Sequence, residues 1–350
     1  MEFLLYGAYG YTGKLITEMA SDFDLKPVLS GRNEEKLKAL AEKYSLEYIT
    51  LDLEDKAKLK TTLERFSLVL HAAGPFKFTA APMMDACLET GTHYLDITGE
   101  IDTFELGASK NQAAKEAGIM IMPGVGFDVV PTDCTAAYLK QVLPDATHLK
   151  IAFAMLGSGV SHGTAMTMAE SAGEGGARRI DGEITKVPLG EHAMTVPFIG
   201  KDMFVMSIPW GDVSTAYYTT GIPNIETFTS VHPKTYSKVK YQKYIGWLLR
   251  SSFVKKQMQK RINARPAGPS QERREKGKGL IWGQASNAAG ETKTVRLQVM
   301  EGYSLTATTA LMITKWTLEG QAKPGFQTPA GLFGADLIMK VEGTIREEIG

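Results

Sequence analysis

Cysteine is scarce in this sequence, with two residues among 350. Cys87 and Cys134 are too few for a disulfide framework, and no cysteine pair has the spacing of a zinc site. A disulfide-stabilised secreted scaffold is therefore excluded, and a metal centre is not expected. We interpret both cysteines as reduced thiols of a cytoplasmic protein.

Net charge and long apolar runs are also missing. Lys/Arg and Asp/Glu number 39 each, so the chain as a whole is not expected to bind nucleic acid. The first residues lack the basic start and the apolar run of a secretory signal. The longest apolar stretch, 118–131, contains Pro123, Gly124 and Gly126 and is too short for a bilayer. These absences predict a cytoplasmic protein without a transmembrane segment.

The first third of the chain alternates short apolar runs with longer amphipathic ones. This rhythm predicts parallel strands joined by right-handed helical crossovers, that is, an α/β fold with a Rossmann-type doubly wound parallel sheet over residues 1–133. The predicted strands are 3–6, 27–30, 46–51, 68–72, 93–97 and 119–122, and the predicted helices are 14–21, 34–44, 56–66, 79–89 and 104–116.

The rhythm changes after residue 131, and the length of the chain favours two domains. Residues 134–350 are predicted to form a second α+β domain, for substrate binding and dimerisation, with a mostly antiparallel sheet. A helix over 304–318 is expected to return to the first domain, together with its flanks at 303–320. The other predictions are helices over 132–142 and 236–262, a Gly/Ser/Ala-rich stretch over 157–176, and strands over 149–155, 195–198, 204–208, 225–230, 278–284 and 292–299.

A glycine-rich segment lies where the first strand meets the first helix. Gly7 permits a tight turn, Gly10 leaves room for a pyrophosphate, and Gly13 lets the helix approach the sheet. The phosphates then meet backbone N–H groups at the positive end of the helix dipole. This spacing predicts a dinucleotide site; the alternative is a tight turn without a ligand. The predicted contacts in this segment are Gly7, Tyr9, Gly10, Tyr11, Thr12 and Gly13.

The end of the second strand indicates which nucleotide binds. NAD sites usually place a carboxylate there for the ribose hydroxyl, but this strand ends Ser30-Gly31-Arg32-Asn33. A guanidinium suits a 2′-phosphate, so we predict that NADPH binds more tightly than NADH by at least about tenfold. Ser30 and Asn33 are candidate further donors. The alternative is that Arg32 merely faces solvent at the strand end.

Two further segments are assigned to the cofactor from the geometry of the predicted fold. Asp52 and Leu53, at the end of the third strand, are placed to flank the adenine. The small residues after the fourth strand are placed beside the pyrophosphate and the nicotinamide ribose. They are Ala73, Gly74, Pro75 and Phe76.

Reacting groups are expected at the carboxyl ends of the parallel strands. Asp96 and Glu100 follow the fifth strand, and Asp128 and Asp133 follow the sixth. A carboxylic acid can donate a proton at neutral pH only if burial raises its pKa. Glu100, Asp128 and Asp133 are therefore candidate catalytic residues, and the alternative for each is a helix cap or a carboxylate bonded to backbone N–H groups.

Two other candidate proton donors lie in the second domain. His162 lies in the glycine-rich loop and is a further candidate catalytic residue; the alternative is a surface histidine. Tyr236 and Lys240 have the spacing that short-chain reductases use, but they lie far beyond the nucleotide fold, which favours chance.

Positive charge is concentrated in residues 234–278. This segment contains 14 Lys/Arg but only Glu272 and Glu275, so its net charge is +12. Such asymmetry suggests an anionic partner, and the candidates are an acidic carrier protein, a coenzyme A thioester or a membrane surface. The alternative is a solvated helix face. Aromatic and apolar residues lie between the cations at Tyr244, Trp247, Leu248 and Phe253.

Taken together, these segments resemble the saccharopine-dehydrogenase-like family, in the branch that contains trans-acting enoyl reductases. The resemblance implies a nicotinamide-binding domain, a substrate and dimerisation domain, and a homodimer. True saccharopine reductases carry Gly-Leu-Asp-Pro-Gly-Ile-Asp where this chain has residues 126–133, which argues against lysine-pathway activity. The matching segments are 7–13, 30–32, 73–76, 94–100, 123–133, 163–165 and 323–330.

Three functions follow from these patterns. The first is an NADP(H)-dependent reductase that transfers a hydride to an activated C=C or C=N bond. A dicarboxylate amino-acid product would require paired arginines, for which Arg178, Arg179 and Arg265 are candidates. The second is a non-catalytic NADP(H)-binding protein that docks on a membrane or a partner. The third is an atypical short-chain carbonyl reductase dependent on Tyr236.

Overall fold

The computed structural model describes residues 1–239, 246, 249–264 and 267–349. The chain folds into two compact units. The first unit comprises Met1–Asp128 with Tyr303–Leu332, and the second comprises Val129–Gly302 with Phe333–Gly350. Lys240, Tyr244, Trp247, Leu248 and Arg265 lie outside the described residues.

Strands and helices have the following bounds in the described part of the chain. The strands are β1 (Glu2–Tyr6), β2 (Lys26–Gly31), β3 (Tyr48–Thr50), β4 (Leu68–His71), β5 (His93–Asp96), β6 (Met120–Met122), β7 (His148–Leu156), β8 (Gly176–Ile180), β9 (Glu183–Val187), β10 (Ala193–Phe198), β11 (Lys201–Ser207), β12 (Asn224–Ser230), β13 (Lys278–Ser286), β14 (Thr292–Met300), β15 (Gly325–Phe326) and β16 (Ile345–Ile349). The helices are α1 (Tyr11–Met19), α2 (Glu34–Tyr44), α3 (Lys56–Leu63), α4 (Phe76–Thr90), α5 (Ile101–Ser109), α6 (Asn111–Glu116), α7 (Val130–Val142), α8 (His162–Glu170), α9 (Asp212–Thr220), α10 (Pro233–Val239), α11 (Ser252–Asn263), α12 (Gln271–Lys276), α13 (Gly302–Trp316) and α14 (Pro329–Phe333).

The sheet of the first unit has the order β15-β6-β5-β4-β1-β2-β3. All of its strand pairs are parallel. Its central strands are apolar because both faces are covered: Leu4, Val69 and Leu70 are fully buried. The predicted doubly wound α/β fold is thus confirmed. The carboxyl ends of β1, β2, β4, β5 and β6 lie on one edge, where the predicted site residues follow them.

Two details of the first unit differ from the prediction. The helix expected over 104–116 is two helices, α5 and α6, which meet at Lys110 with φ −90° and ψ 4°. Strand β15 was not predicted because two residues carry no periodicity. Gly325 nevertheless pairs with Met120, about two hundred residues earlier in the chain.

The second unit contains a mixed sheet with the order β10-β11-β12-β7-β13-β14-β16. β7 and β12 are parallel, and the other pairs on this path are antiparallel. This agrees with the predicted α+β arrangement. The hairpin β8–β9 was missed, although its Asp181-Gly182 turn, with φ 48° and 87°, is a strong hairpin signal.

One predicted helix of the second unit is wrong. The single helix expected over 236–262 is interrupted at Ser251, directly before α11, and residues 240–245, 247 and 248 of that range lie outside the described residues. Ser251 is extended, with φ −63° and ψ 139°, and its hydroxyl accepts a hydrogen bond from the N–H of Val254. Ser251 therefore begins a new helix, because a serine at this position satisfies a free N–H group of the first turn. The Gly/Ser/Ala-rich stretch contains the helix α8.

No helix among the described residues has both the length and the apolar character needed to cross a bilayer. Cys87 and Cys134 are buried free thiols.

Candidate functional site

The glycine-rich turn is held by the strand beside it. The N–H groups of Gly7 and Ala8 donate to the carbonyl of Ser30, at 2.8 and 3.2 Å. Gly7 has a φ of +88°, and a Cβ there would lie 2.8 Å from the backbone of Ala72 and Ala73. Only glycine fits this position, because the left-handed backbone and the adjacent loop both exclude a side chain. The turn is therefore enclosed by β1, β2 and β4.

Gly13 and Gly10 lack side chains for different reasons. A Cβ on Gly13 would lie 2.3 Å from the carbonyl oxygen of Gly7, so glycine is required for the packing of α1. Gly10 has an ordinary extended conformation, and a Cβ there would meet only the Gly7 oxygen, at 3.1 Å. The space in front of Gly10 is thus free of protein at the start of α1, as a pyrophosphate requires.

This difference predicts contrasting effects of two matched substitutions. Gly13→Ala is expected to destabilise the protein by about 1–3 kcal/mol, because backbone atoms cannot move away from the methyl group. Gly10→Ala is expected to lower the melting temperature less than Gly13→Ala does, because its methyl group meets one backbone oxygen at 3.1 Å, but to weaken NADPH binding about tenfold or more, because the methyl group occupies the phosphate position. Thermal unfolding and fluorescence titration measure the two effects. A Gly10→Ala variant with unaltered NADPH affinity would contradict the site.

Two cations lie at the end of β2. Arg32 is exposed, and within the described part of the chain its guanidinium has no hydrogen-bond or ion-pair partner. The ring of Tyr9 covers Gly31, where a Cβ would lie 2.6 Å from Tyr9 Cε1. Lys36 Nζ lies 5.8 Å from the centre of the same ring. The sequence reasoning missed Lys36, although a lysine in the first turn of the helix after β2 was a visible signal.

Ser30 and Asn33 already have structural partners. The Ser30 hydroxyl is buried and donates to the carbonyl of Ile49 at 3.0 Å. The Asn33 side-chain oxygen accepts the N–H of Lys36 at 2.9 Å and caps α2. The local fold therefore explains why a serine and an asparagine occupy these two positions, because each makes a structural hydrogen bond. A direct contact of either side chain with a cofactor stays a prediction.

The adenine-side residues differ in exposure. Asp52 is exposed and accepts the N–H of Glu54 at 3.1 Å, whereas Leu53 belongs to the core. Tyr6 lies nearby, and burial raises its pKa to about 12, against a lowering effect of the Arg32 charge. Arg32 and Asp52 are thus exposed charges that both act on the Tyr6 hydroxyl, and Leu53 is part of the apolar core behind them.

The loop after β4 is held from below by a buried histidine. His71 Nε2 lies 2.9 Å from Thr79 Oγ1, and the Thr79 hydroxyl donates to the carbonyl of Ala73 at 2.8 Å. The hydroxyl has one proton, so His71 Nε2–H must be the donor to Thr79. Burial lowers the pKa of His71 to about 3, so the ring is neutral. This relay fixes the Ala73 carbonyl.

Glu100 holds the same loop from its other side. Its carboxylate oxygens accept the N–H groups of Phe76 at 2.9 Å and of Lys77 at 2.8 Å. These are first-turn donors of α4, where a negative charge is favoured. Glu100 therefore anchors the predicted nicotinamide-side loop, which is the backbone-bonding role that the sequence left as its alternative. Burial raises the pKa of Glu100, and the two backbone bonds oppose that shift.

We predict that Glu100→Gln weakens NADPH binding about tenfold. An amide retains one acceptor oxygen and presents an N–H group to the second backbone donor, so one charge-assisted bond is lost. Fluorescence titration of NADPH measures the change. Asp102→Asn is the matched control, because it removes a neighbouring charge without bonding this loop. Equal affinities of the two variants would refute the anchoring role.

Asp96 is a buried structural acid at the end of β5. Its carboxylate accepts the Tyr94 hydroxyl at 2.6 Å and the N–H groups of Thr98 and Gly124, both at 2.9 Å. Burial raises the pKa of Asp96 even though these donors lower it. Three donors occupy the carboxylate, so it joins the loops after β5 and β6.

Asp128 differs from both neighbouring acids. Among the described residues, no side chain or backbone group forms a hydrogen bond with its carboxylate. Oδ2 lies where a side chain of Gly99 would be, at 2.8 Å from its ideal Cβ position. Burial, and to a smaller extent the charge of Glu100, raise the pKa of Asp128 to about 7, although part of the Asp128 surface remains exposed. Asp128 is thus placed to exchange a proton near neutral pH.

Asp133 and His162 belong to the second unit. Asp133 is fully buried in the first turn of α7 and accepts the Thr219 hydroxyl at 2.5 Å. His162 begins α8, and its backbone N–H donates to the carbonyl of Ala267 at 2.8 Å. Glu100 and Asp128, by contrast, both belong to the first unit, where the charge of Glu100 acts on the pKa of Asp128. Catalytic roles for Asp133 and His162 stay predictions.

The arginine pair of the second unit is occupied by protein. Arg179 is buried, donates to the carbonyls of Val213 at 2.8 Å and Gly182 at 2.5 Å, and lies 4.2 Å from the centre of the Tyr217 ring. Arg178 lies 3.7 Å from the Glu191 carboxylate. Arg179 is thus held by protein groups, whereas Arg178 is paired with Glu191 and has a buried Nε without a hydrogen-bond partner in the described part of the chain. A contact of either arginine with a dicarboxylate stays a prediction. Over the described residues, no cluster of three His, Cys, Asp or Glu side chains is arranged to hold a metal ion.

Comparison with known proteins agrees with this geometry. Residues 3–122 match the family model of the saccharopine dehydrogenase NADP binding domain. A saccharopine dehydrogenase-like oxidoreductase of Rattus norvegicus is 30% identical over 178 residues, which cover 45% of this chain and 42% of that protein. A trans-acting enoyl reductase of Mycobacterium leprae is 31% identical over 160 residues, which cover 42% of this chain and 37% of that protein.

The match thus spans less than half the length of these curated relatives. The resemblance inferred from the motifs is confirmed. Among solved structures, apo saccharopine dehydrogenase (L-Glu forming) from Saccharomyces cerevisiae superposes with a TM-score of 0.67 at 15% identity, covering 100% of both chains. At that identity the similarity shows the fold alone.

Proposed function

We infer, from the saccharopine dehydrogenase NADP binding domain of residues 3–122, that the protein is an NADP(H)-dependent oxidoreductase. The proposal rests on one observation: the matched domain contains a glycine-rich turn, residues 7–13, that leaves the start of α1 open. The residues fit a dinucleotide: Gly10 provides space for the pyrophosphate, and Arg32 presents a guanidinium that the protein itself does not neutralise within its described part.

Arg32 and Lys36 support selection of NADPH over NADH. Both cations lie at the end of β2, where the adenosine ribose binds in this fold. The Arg32 guanidinium can bond a 2′-phosphate through two N–H groups, and the Lys36 ammonium adds a second positive charge near the same point. No carboxylate replaces them at the tip of the strand.

The reaction that we propose is reduction of an activated C=C or C=N bond. When bound, NADPH supplies the hydride, which is delivered to the electrophilic carbon of the substrate. The other atom of the double bond then requires one proton. Asp128 is our candidate donor, because its carboxyl has a raised pKa and keeps an oxygen free for substrate.

Glu100 acts in this proposal as a positioning residue. It fixes the start of α4 through two backbone bonds, and its charge favours the protonated form of Asp128. His162 remains a second candidate donor from the other unit. Asp133, bonded to Thr219 in the first turn of α7, is the weakest of the predicted catalytic residues.

Turnover by the purified chain tests the function. NADPH consumption is followed with a panel of enoyl thioesters, free enoates and cyclic imines. We expect consumption that depends on one substrate class and is lost on Gly10→Ala. Tight NADPH binding without any turnover would favour a non-catalytic binding protein, and loss of activity on Tyr236→Phe would favour a short-chain carbonyl reductase.

Three accompanying proposals concern the surroundings of the enzyme. We propose a homodimer, from the family resemblance. We propose a substrate carried as a thioester, from the anionic partner that the net charge of +12 over 234–278 suggests. We also propose a cytoplasmic location, from two buried free thiols. Light scattering of the purified chain tests the first, and comparison of free acids with thioesters tests the second.

A further inference from the structure

The helices α8 and α11 of the second unit form a pair with one side held together by polar contacts. Gln259 Nε2 donates to Glu170 Oε1 at 2.6 Å, and Lys255 Nζ lies 3.7 Å from Glu170 Oε2. Ile262 is buried on the same side of α11. These contacts define the inner face of α11, and the exposed residues of the helix include Phe253, Lys256, Lys260 and Arg261.

The outer face of α11 combines an aromatic ring with cations. Phe253 is 71% exposed, and Lys256 and Lys260 follow it at three and seven residues, which places all three on one side of the helix. Arg261 is exposed beside them. The helix contains no Asp or Glu, and in the described ranges no carboxylate pairs with Lys256, Lys260 or Arg261.

The exposed apolar side chains of the neighbouring helix lie apart from this face. Met168 on α8 is 63% exposed, and Val160, directly before the Ser161 cap of α8, is 56% exposed. Met168 lies two residues before Glu170, which places it away from the side of α8 that contacts α11. Phe253 is therefore the exposed apolar side chain that stands among the cations of α11, and such a combination indicates a binding surface.

We propose that the outer face of α11, a basic–apolar surface formed by Phe253, Lys256, Lys260 and Arg261, docks the protein on an anionic lipid bilayer. The Phe253 ring enters the boundary between headgroups and acyl chains. The cations bind headgroup phosphates and carboxylates, whose negative potential complements them.

A bilayer fits this surface better than an acidic protein does. The exposed Phe253 ring stands among cations that lack carboxylate partners within the described chain, which suits a fluid surface that accepts an inserted ring and diffuse negative charge together. The net charge of +12 over 234–278 adds a longer-range attraction of the same sign.

Sedimentation of the full chain with vesicles tests the proposal. The probes are vesicles of pure phosphatidylcholine and vesicles that contain about 30% phosphatidylserine, at low and high salt. We expect binding to the anionic vesicles that is at least about tenfold stronger than to the neutral ones and that weakens at high salt.

Two variants and a matched control separate charge, insertion and general effects. Lys256→Gln with Lys260→Gln is expected to weaken anionic vesicle binding about 25-fold, or about fivefold for each cation. Phe253→Ala is expected to weaken this binding about tenfold, because the ring that inserts into the bilayer is lost. Lys56→Gln with Lys58→Gln removes the same charge from exposed positions of α3 and is expected to change nothing. Unchanged NADPH affinity shows that each variant is folded.

Other results would overturn the proposal. One is failure of the wild-type chain to bind anionic vesicles, and another is an equal loss in the α3 control. Binding to poly-glutamate without binding to vesicles would assign the surface to an acidic protein partner instead. Because none of these readouts uses turnover, failure here is distinct from failure of the oxidoreductase assignment.

Discussion

Replacement of Asp128 by asparagine is expected to lower kcat about 10²–10⁴-fold on whichever substrate class the panel identifies. The amide has nearly the same shape but cannot release a proton at neutral pH, so the hydride acceptor loses its proton source. NADPH affinity should change little, because the proposed cofactor contacts lie elsewhere. Steady-state kinetics and fluorescence titration of the same preparation separate the two effects.

The same substitution is expected to stabilise the protein at alkaline pH. Burial raises the folded-state pKa of Asp128 to about 7, well above the ordinary value of an aspartate. The unfolded chain therefore loses this proton at lower pH than the folded one, and the free energy of unfolding falls as pH rises through this interval. Above pH about 7 the Asp128 carboxylate is ionised in the folded protein, and its burial in the charged form lowers the free energy of unfolding. Asp128→Asn removes this loss of stability.

A pH series of thermal melts checks this sign. The melting temperature of Asp128→Asn should exceed that of the wild type at pH about 8, and the difference should vanish below about pH 4, where both states are protonated. Asp102→Asn serves as the control. A variant that is inactive but no more stable at alkaline pH would show that burial of the ionised Asp128 carboxylate does not lower the free energy of unfolding. Full activity would remove Asp128 from the mechanism.

Replacement of Arg32 by serine is the second large expected effect. Affinity for NADPH should fall about 10- to 100-fold, because a phosphate loses a charge-assisted and potentially bidentate partner. Affinity for NADH should stay within a factor of about two, since its ribose carries no phosphate at this position. The ratio of the two dissociation constants, measured by fluorescence titration, isolates the 2′-phosphate from the rest of the cofactor.

Two further variants refine the Arg32 result. Arg32→Lys keeps the charge but not the planar fork, so it is expected to retain part of the preference. Lys36→Gln should weaken NADPH binding by a smaller factor of about three to ten, as expected for a single more distant cation. If Arg32→Ser weakened NADPH and NADH equally, the side chain would support the fold of the site and not its selectivity.

Much of the first unit was predictable because its signals are local. The turn from Gly7 to Gly13 combines backbone stereochemistry and steric limits that glycine alone meets, and these act over a few residues. The alternation of apolar runs and amphipathic helices predicted the parallel sheet for the same reason. The helix Glu34–Tyr44 was predicted with its observed bounds, since Asn33 is an ordinary N-cap.

Elements without a strong local signal were lost or merged. The helix predicted over 236–262 was continued through Ser251 because lysine-rich residues maintain the helical pattern across it, and the Ser251 cap is visible only once the backbone is known. The hairpin β8–β9 shows the opposite failure. Its Asp181-Gly182 turn is a local signal, but short strands with charged residues at Arg178 and Arg179 concealed it.

The amino-acid sequence by itself determined the nucleotide fold, the open start of α1 and the guanidinium at the end of β2. The tertiary structure decided what each acid does. Asp96, Glu100 and Asp128 are equivalent carboxylates in the sequence, yet one binds three donors, one anchors α4, and one has no hydrogen-bond partner among the described residues. The physical reason is that turn geometry and periodicity depend on neighbours along the chain. Desolvation and hydrogen bonding depend on neighbours in space.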